Sequence, residues 1–138
     1  MAVRPNAAAR NAIITGGYGV FDDVAITAYD GTQPAAGGGS VGASEVIALG
    51  TTTDPAFGAA SGGGRGPATF WDLTVEEGVT EETPTWIRLG PGAGGEIIDF
   101  SFGEDTEDIT VGTGESEVSE GDIIRINAGQ LRLPGNDA

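Results

Sequence analysis

A chain of 138 residues is long enough for one domain with a hydrophobic core and too short for two domains of ordinary size. Its six cationic residues, all arginine, face 21 acidic residues and give a net charge of −15, which makes nucleic acid and anionic lipid unfavourable partners. The chain contains no cysteine, which excludes disulfide and thiolate chemistry, and no apolar run as long as a membrane span, so we expect no membrane partner.

The charge is unevenly distributed along the chain. Residues 1–21 contain Arg4 and Arg10 and no acidic residue, whereas all 21 acidic residues lie within 22–138. A weakly basic leader on a strongly acidic body is typical of an arm that contacts another molecule. We therefore expect two units, an N-terminal arm at 1–21 and a folded domain at 22–138.

The leader contains the one segment that predicts a helix, "NAAARNAII" at 6–14. Asn6 is a suitable N-cap after Pro5, because its side chain can accept a hydrogen bond from the first helical turn. The glycine pair at 16–17 is a suitable stop. We expect a short helix between these two signals.

The rest of the chain is dominated by short segments in which apolar and polar residues alternate. Each segment is rich in β-branched or aromatic residues and is bounded by turn formers, which predicts strands. The segments are "VAITAYDG" (24–31), "SEVIALG" (44–50), "ATFWDLTV" (68–75), "TWIRLG" (85–90), "EIIDFSFG" (96–103), "DITVG" (108–112) and "DIIRINAGQLRL" (122–133). Seven or eight short strands predict an all-β fold, a single antiparallel β-sandwich or jelly-roll-like domain.

The alternation also predicts which side chains face the core. The inward set is Ile26, Val46, Ile47, Leu49, Phe70, Leu73, Trp86, Ile87, Ile98, Phe100, Ile124 and Ile126. The glycine-rich segments at 34–43, 61–66 and 91–96 are predicted to be loops within this one domain.

The residue types argue against catalysis. The chain has no histidine and no lysine, so the usual bases that activate a serine or threonine nucleophile are missing. Pairs of carboxylates occur throughout the chain and therefore indicate no particular site. We expect no enzymatic activity and no cofactor.

Three acidic segments could supply oxygen ligands to calcium, namely 75–84, 103–110 and 114–122. None has the ligand spacing of the helix–loop–helix calcium motif. We therefore expect a solvated acidic rim and no metal site.

The two tryptophans are the strongest candidates for a ligand-stacking surface. In "TFWDLTV", Phe70 and Trp71 are consecutive and must point to opposite faces of a strand, and the same holds for Trp86 and Ile87 in the next strand. An outward tryptophan would be an interface or carbohydrate-binding residue, whereas a bulged strand would place it in the core. Both interpretations remain open at this stage.

Several strings resemble a family of small virion proteins of tailed phages. They are "AITAYDGTQPA" (25–35), "VIALGTTTDPAFGAASGG" (46–63), "ATFWDLTV", "TPTWIRLGPGAGGEIIDFSFG" and "DIIRINAGQLRLP". The shared elements are Tyr29, Gly31 and Pro34, then Asp54, Pro55, Ala56, Phe57 and Gly58, then Trp86, Ile87 and Arg88. The acidic run at 75–83 and "GGYGVFDD" after the helix depart from the family pattern.

This resemblance implies an auxiliary capsid protein that decorates the outer surface of the phage head. Its partner would be the major capsid protein, and by analogy it would form a homotrimer. The residues expected to contact the capsid or neighbouring subunits are Arg4, Arg10, Ile13, Ile14, Tyr18, Phe57 and Trp71. Phe57 is the one large side chain in "TTTDPAFGAASGGG" (51–64), so it would attach this segment to a core or to a neighbour.

The resemblance leaves two alternatives. One is a receptor- or carbohydrate-binding module of a head or tail fibre. The other is a head–tail connector or tail component, which would be expected to contain a long hairpin.

Overall fold

The computed structural model describes residues 3–59, 64–127, 129–131 and 133. Its elements in chain order are β1 (Arg4–Pro5), α1 (Ala7–Gly16), a 3-10 helix (Tyr18–Phe21), β2 (Ala25–Tyr29), β3 (Val46–Thr51), β4 (Trp71–Val75), β5 (Trp86–Leu89), β6 (Ile98–Gly103), β7 (Ile109–Thr110) and β8 (Ile123–Ile126). The strands form one curled sheet in the order β1-β6-β5-β2-β3-β4-β8, and β7 adds to β6. Every pairing is antiparallel except β6–β7. The predicted all-β fold is confirmed.

The predicted helix is also confirmed, with both of its end signals. The Asn6 side-chain oxygen accepts a hydrogen bond from the Ala9 N–H at 2.8 Å. Gly17 ends the helix with a φ of 83°, and its N–H donates to the Ala12 carbonyl at 3.0 Å. A side chain at this left-handed position would be strained, so glycine is required there.

The described part of the leader is packed onto the sheet and does not extend as an arm. Strand β1 pairs with β6, and the Asn6 N–H donates to the Ile97 carbonyl at 2.9 Å. Ala9 and Phe21 are fully buried. Because burying these apolar groups is favourable, residues 3–21 fold as part of the same body as the strands.

The main core lies on the inner face of the sheet. Strand β4 shows the expected alternation, since Trp71, Leu73 and Val75 are buried and the residues between them are exposed. The predicted inward positions of Ile26, Ile47, Leu73, Ile87, Ile98, Phe100, Ile124 and Ile126 are confirmed. Residues of α1 and the 3-10 helix complete this core.

Strand β6 departs from the alternation because both of its faces are covered. Asp99 and Ser101 point away from the main core and are nevertheless buried. Asp99 is covered by the segment 30–45, which crosses the outer face of β5 and bonds to Asp99 on β6. Ser101 exchanges two hydrogen bonds with Asp108 in the loop after β6. We call the segment 30–45 the cover segment.

A buried ion pair fastens the cover segment to the sheet. Arg88 donates to Asp99 through Nε at 2.8 Å and through one terminal nitrogen at 3.0 Å. The same guanidinium donates to the Gly39 carbonyl at 2.7 Å, and the Gly38 N–H donates to Asp99 at 3.2 Å. Both charges are thus paired and hydrogen-bonded, which burial requires.

The glycines of the cover segment allow a close approach to the leader. A Cβ atom at residue 37 would lie 2.0 Å from the Arg4 carbonyl oxygen, so only glycine fits against this backbone. The glycine-rich string at 34–43 is a loop, as predicted, and at Gly37 it packs directly against the backbone of the leader.

Three predicted core residues are exposed, so their assignment was wrong. Val46 and Leu49 lie on the outer face of β3, because a register irregularity at Ala28/Tyr29 shifts the alternation of that strand. Phe70 precedes β4 and is exposed, since Trp71 occupies the inward position next to it.

The fold contains two arginine–aspartate pairs, and breaking the buried one should destabilise the protein more than breaking the exposed one. Asp99→Ala leaves Arg88 unpaired under the cover segment, and we expect a loss of about 3 to 5 kcal/mol in the free energy of unfolding. Asp72→Ala removes the half-exposed partner of Arg125 and should cost about 0.2 to 1 kcal/mol. Chemical denaturation of both variants measures this difference. Equal losses would contradict the structural role of the buried pair.

Candidate contact surface

One row of paired residues crosses the whole sheet path and divides into two unlike halves. Its members, from β1 to β8, are Arg4, Asp99, Arg88, Thr27, Leu49, Thr74 and Ile123. The half on β1, β6, β5 and β2 is polar, and three of its members, Arg4, Asp99 and Arg88, bond to the cover segment. The half on β3, β4 and β8 has no cover among the described residues.

Among the described residues six large apolar side chains are exposed; two belong to the leader, Val3 and Ile14, and the other four lie on the uncovered half. Val46 is 39% exposed, Leu49 is 43% exposed, and Phe70 and Ile123 are each 53% exposed. We call these four residues the exposed apolar face. Leu49 and Ile123 are both Cα partners of Thr74, on its two sides, so they flank one row of the sheet. Val46 and Phe70 lie on the same face towards opposite ends of the strands. Several exposed apolar side chains on one face of a sheet favour a contact surface.

The two charges beside Phe70 neutralise one another. Arg125 donates to Asp72 through two nitrogens, at 2.7 and 2.9 Å, and its guanidinium carbon lies 4.7 Å from the centre of the Phe70 ring. The hydrogen bond from Arg125 lowers the pKa of the Asp72 carboxyl, and the same contact raises the pKa of Arg125. The surface around Phe70 is therefore locally neutral, whereas exposed Glu45 and Asp122 lie next to Val46 and Ile123.

A shallow groove continues the face beyond Phe70. It has a volume of about 320 Å³ and is lined by Pro67, Ala68, Thr69, Phe70, Asn127 and Gly129. The exposed phenylalanine therefore stands between a flat sheet surface and a concave one.

The leader residues predicted as contacts lie at different depths. The Arg4 side chain donates to the Pro34 carbonyl of the cover segment, and Ile13 packs partly buried against the core. Arg10 is exposed and donates to the Pro5 carbonyl at 2.8 Å. Ile14 is 81% exposed on the outer side of α1. Only Arg10 and Ile14 of these four are freely accessible.

Three other predicted contact residues are buried together. Phe57 lies at the centre of an aromatic cluster, with its ring centroid 5.1 Å from that of Tyr18 and 5.1 Å from that of Trp71. The Trp71 indole N–H donates to the Ala56 carbonyl at 3.1 Å. Burial raises the pKa of the Tyr18 hydroxyl. These side chains hold "DPAFG" to the core, and their burial corrects the expectation that they contact a partner directly.

Neither tryptophan offers a stacking surface. Trp71 faces the main core, and Trp86 lies on the outer side of β5, stacked on Tyr29 with 4.4 Å between ring centroids. The Trp86 indole donates to the Asp30 carbonyl at 3.0 Å, beneath the cover segment. The exposed aromatic ring is that of Phe70, which the sequence analysis assigned to the core. The sequence did contain a signal for its exposure, because Phe70 and Trp71 are adjacent and only one of them can point inward.

The acidic loop after β6 is organised by one carboxylate. Glu104 accepts hydrogen bonds from the Gly114 N–H at 2.8 Å, from the Ser116 N–H at 3.1 Å and from the Ser116 hydroxyl. These bonds lower the pKa of Glu104. Within the described ranges, no three acidic side chains are grouped so as to hold a metal ion.

The described helix α1 is too short to cross a membrane, and no other described helix is longer.

Comparisons with protein-family models, with curated proteins and with solved structures gave no match to this chain.

Replacing phenylalanine by alanine should have a large effect on stability in the aromatic cluster and a small one on the exposed face. Phe57→Ala removes the centre of a buried cluster and should lower the free energy of unfolding by about 3 to 5 kcal/mol. Phe70→Ala changes a half-exposed ring and should stay within about 0.5 kcal/mol of the parent chain. Thermal and denaturant unfolding of the pair measures both values. A large loss from Phe70→Ala would show that this ring belongs to the core.

The two lowered carboxyl pKa values predict separate responses to mutation. Arg125→Gln should raise the pKa of Asp72 towards its ordinary value of 3.8 and leave Glu104 unchanged, whereas Ser116→Ala should raise only that of Glu104, towards 4.5. Because the folded-state pKa values are depressed, each contact stabilises the fold above the ordinary pKa and is lost as the pH falls through the lowered value. NMR titration of the side-chain carboxyls tests this. An unchanged Asp72 pKa in Arg125→Gln would contradict the ion pair.

Proposed function

We propose that this protein is an auxiliary capsid protein of a tailed phage, which binds the outside of the shell formed by the major capsid protein. The resemblance of its strings to small phage virion proteins supports the virion as its location. The proposal requires a stable body with a contact surface and needs no catalytic group. A homotrimer on the shell is proposed by analogy with other decoration proteins.

The observation that carries the proposal is the exposed apolar face on an otherwise acidic body. Burying the exposed half of side chains such as Leu49 and Phe70 against a partner would contribute about 0.7 to 1.5 kcal/mol each, half of the value for a fully exposed side chain. The neutral pair Asp72–Arg125 beside them avoids the penalty of burying an isolated charge. The carboxylates of the remaining surface would then face solvent and keep decorated particles apart.

The helix α1 offers a second, smaller contact in this proposal. Arg10 and Ile14 are exposed there, and the leader carries no acidic residue. Arg4, Ile13, Tyr18, Phe57 and Trp71 would support binding indirectly, because they hold the leader and the "DPAFG" segment in place.

Substitution on the exposed apolar face should weaken shell binding without unfolding the chain. We expect Leu49→Ser and Phe70→Ser each to reduce affinity about tenfold or more, which corresponds to about 1.4 kcal/mol. Ile14→Ser tests the smaller contact on α1 separately, and we expect it to reduce affinity less than either face variant does. The measurement is co-sedimentation with empty shells of the major capsid protein from the same phage, alongside thermal unfolding of each variant.

Each other outcome of this experiment contradicts a part of the proposal. Wild-type occupancy by both face variants would exclude the face as the contact, and loss of binding in Ile14→Ser alone would assign the contact to α1. Binding to glycans or host cells but not to shells would favour the fibre module. If particles that lack the protein withstand heat and osmotic shock as well as complete ones, it has no stabilising role.

A further inference from the structure

Strand β8 ends the sheet with an open edge. It pairs with β4 on one side, and within the described residues no strand pairs with it on the other. The Val75 N–H donates to the Asp122 carbonyl at 2.9 Å, so these two residues form a hydrogen-bonded pair between β4 and the start of β8. Since hydrogen-bonded positions alternate in an antiparallel pair, Ile124 and Ile126 bond to β4. The backbone groups of Ile123 and Arg125 therefore point away from β4.

A cleft runs along this edge. It has a volume of about 240 Å³, and its lining residues are Phe102, Val111, Glu115, Val118, Ile123, Ile124, Arg125 and Gln130. Three of them are consecutive in β8, and consecutive side chains of a strand point to opposite faces. Side chains from both faces of the strand can line the same cleft only if the cleft lies along the edge of the strand. The cleft thus combines unpaired backbone groups with a mixed wall, in which Phe102, Val111 and Val118 lie beside the polar Glu115 and Gln130.

The charge around the cleft selects its occupant. The loop from Glu104 to Asp122 carries eight carboxylates and no arginine. Arg125, the cation at the edge, is neutralised by its two hydrogen bonds to Asp72. The acidic body of a second copy would be repelled, and its acid-free leader is already held on β6. An extended segment that carries arginine or lysine would be attracted.

We propose that the β8 edge binds an extended, basic segment of a different protein, which adds to the sheet as a further strand. The segment's main chain bonds to the N–H and carbonyl groups of Ile123 and Arg125, and its apolar side chains enter the cleft. This mode of recognition obtains affinity from the main chain and specificity from the pocket for alternate side chains. It stands on the edge geometry and does not depend on the capsid proposal.

Two substitutions at one position isolate the contribution of the edge. Ile123→Pro removes the outward N–H and leaves the bonds of Ile124 and Ile126 to β4 in place, as proline is tolerated on edge strands. Ile123→Ala keeps this N–H and shortens only the side chain. The probe is a synthetic peptide of alternating valine and arginine, and its matched control alternates valine and glutamate. Binding is followed by NMR, with hydrogen exchange of the Ile123 and Arg125 amides.

We expect the arginine peptide to bind the parent chain, to slow exchange of both amides, and to bind Ile123→Pro about fivefold or more weakly. Ile123→Ala should bind within about twofold of the parent, and the glutamate peptide should not bind. Equal binding by Ile123→Pro and Ile123→Ala would overturn the proposal, as would binding of neither peptide or equal binding of both.

Shell binding of the parent chain and of Leu49→Ser, set beside peptide binding, separates this inference from the proposed function. If shells bind the parent and fail to bind Leu49→Ser, while the arginine peptide never binds, the capsid proposal stands and the edge site is excluded. If the arginine peptide binds as described and shells bind nothing, the edge site stands and the capsid proposal fails.

Discussion

The buried ion pair of Arg88 and Asp99 determines how the outer face of the sheet is divided. Two charges removed from water require partners for all their polar groups, and the backbone of the cover segment supplies them at Gly38 and Gly39. The segment is thereby committed to β5 and β6 and cannot extend over β3, β4 and β8. The exposed apolar face is thus a consequence of where the charge pair lies.

The strands and the helix could be predicted from the sequence because each carries a local signal. Period-two alternation identified all the longer strands, and Asn6 with the glycine pair identified the helix. The errors at Val46 and Leu49 had a non-local cause, because the irregularity that shifts β3 forms only when β3 pairs with β2. Local patterns contain no information about such a pairing.

The candidate surface was beyond sequence reasoning for a related reason. The sequence does not show whether a given leucine is exposed or buried. The exposed apolar face can be recognised only when the path of the cover segment is known. Trp86 is buried, as predicted. It is buried outside the main core, however, beneath the cover segment on the outer face of the sheet. Phe57 was expected to attach its segment to a core or to a neighbour, and the aromatic cluster shows that it attaches to the core.

The two ends of the sheet are unequal. At one end the outer edge of β6 is shared by β1 and β7, each only two residues long, so little backbone remains there for a further strand. At the other end β8 is open among the described residues. Growth of a fibre by edge addition needs a donor edge and an acceptor edge on every copy, and here one of them is blunted. Strand addition to this fold would therefore stop after a single event, which allows an open edge without the hazard of polymerisation.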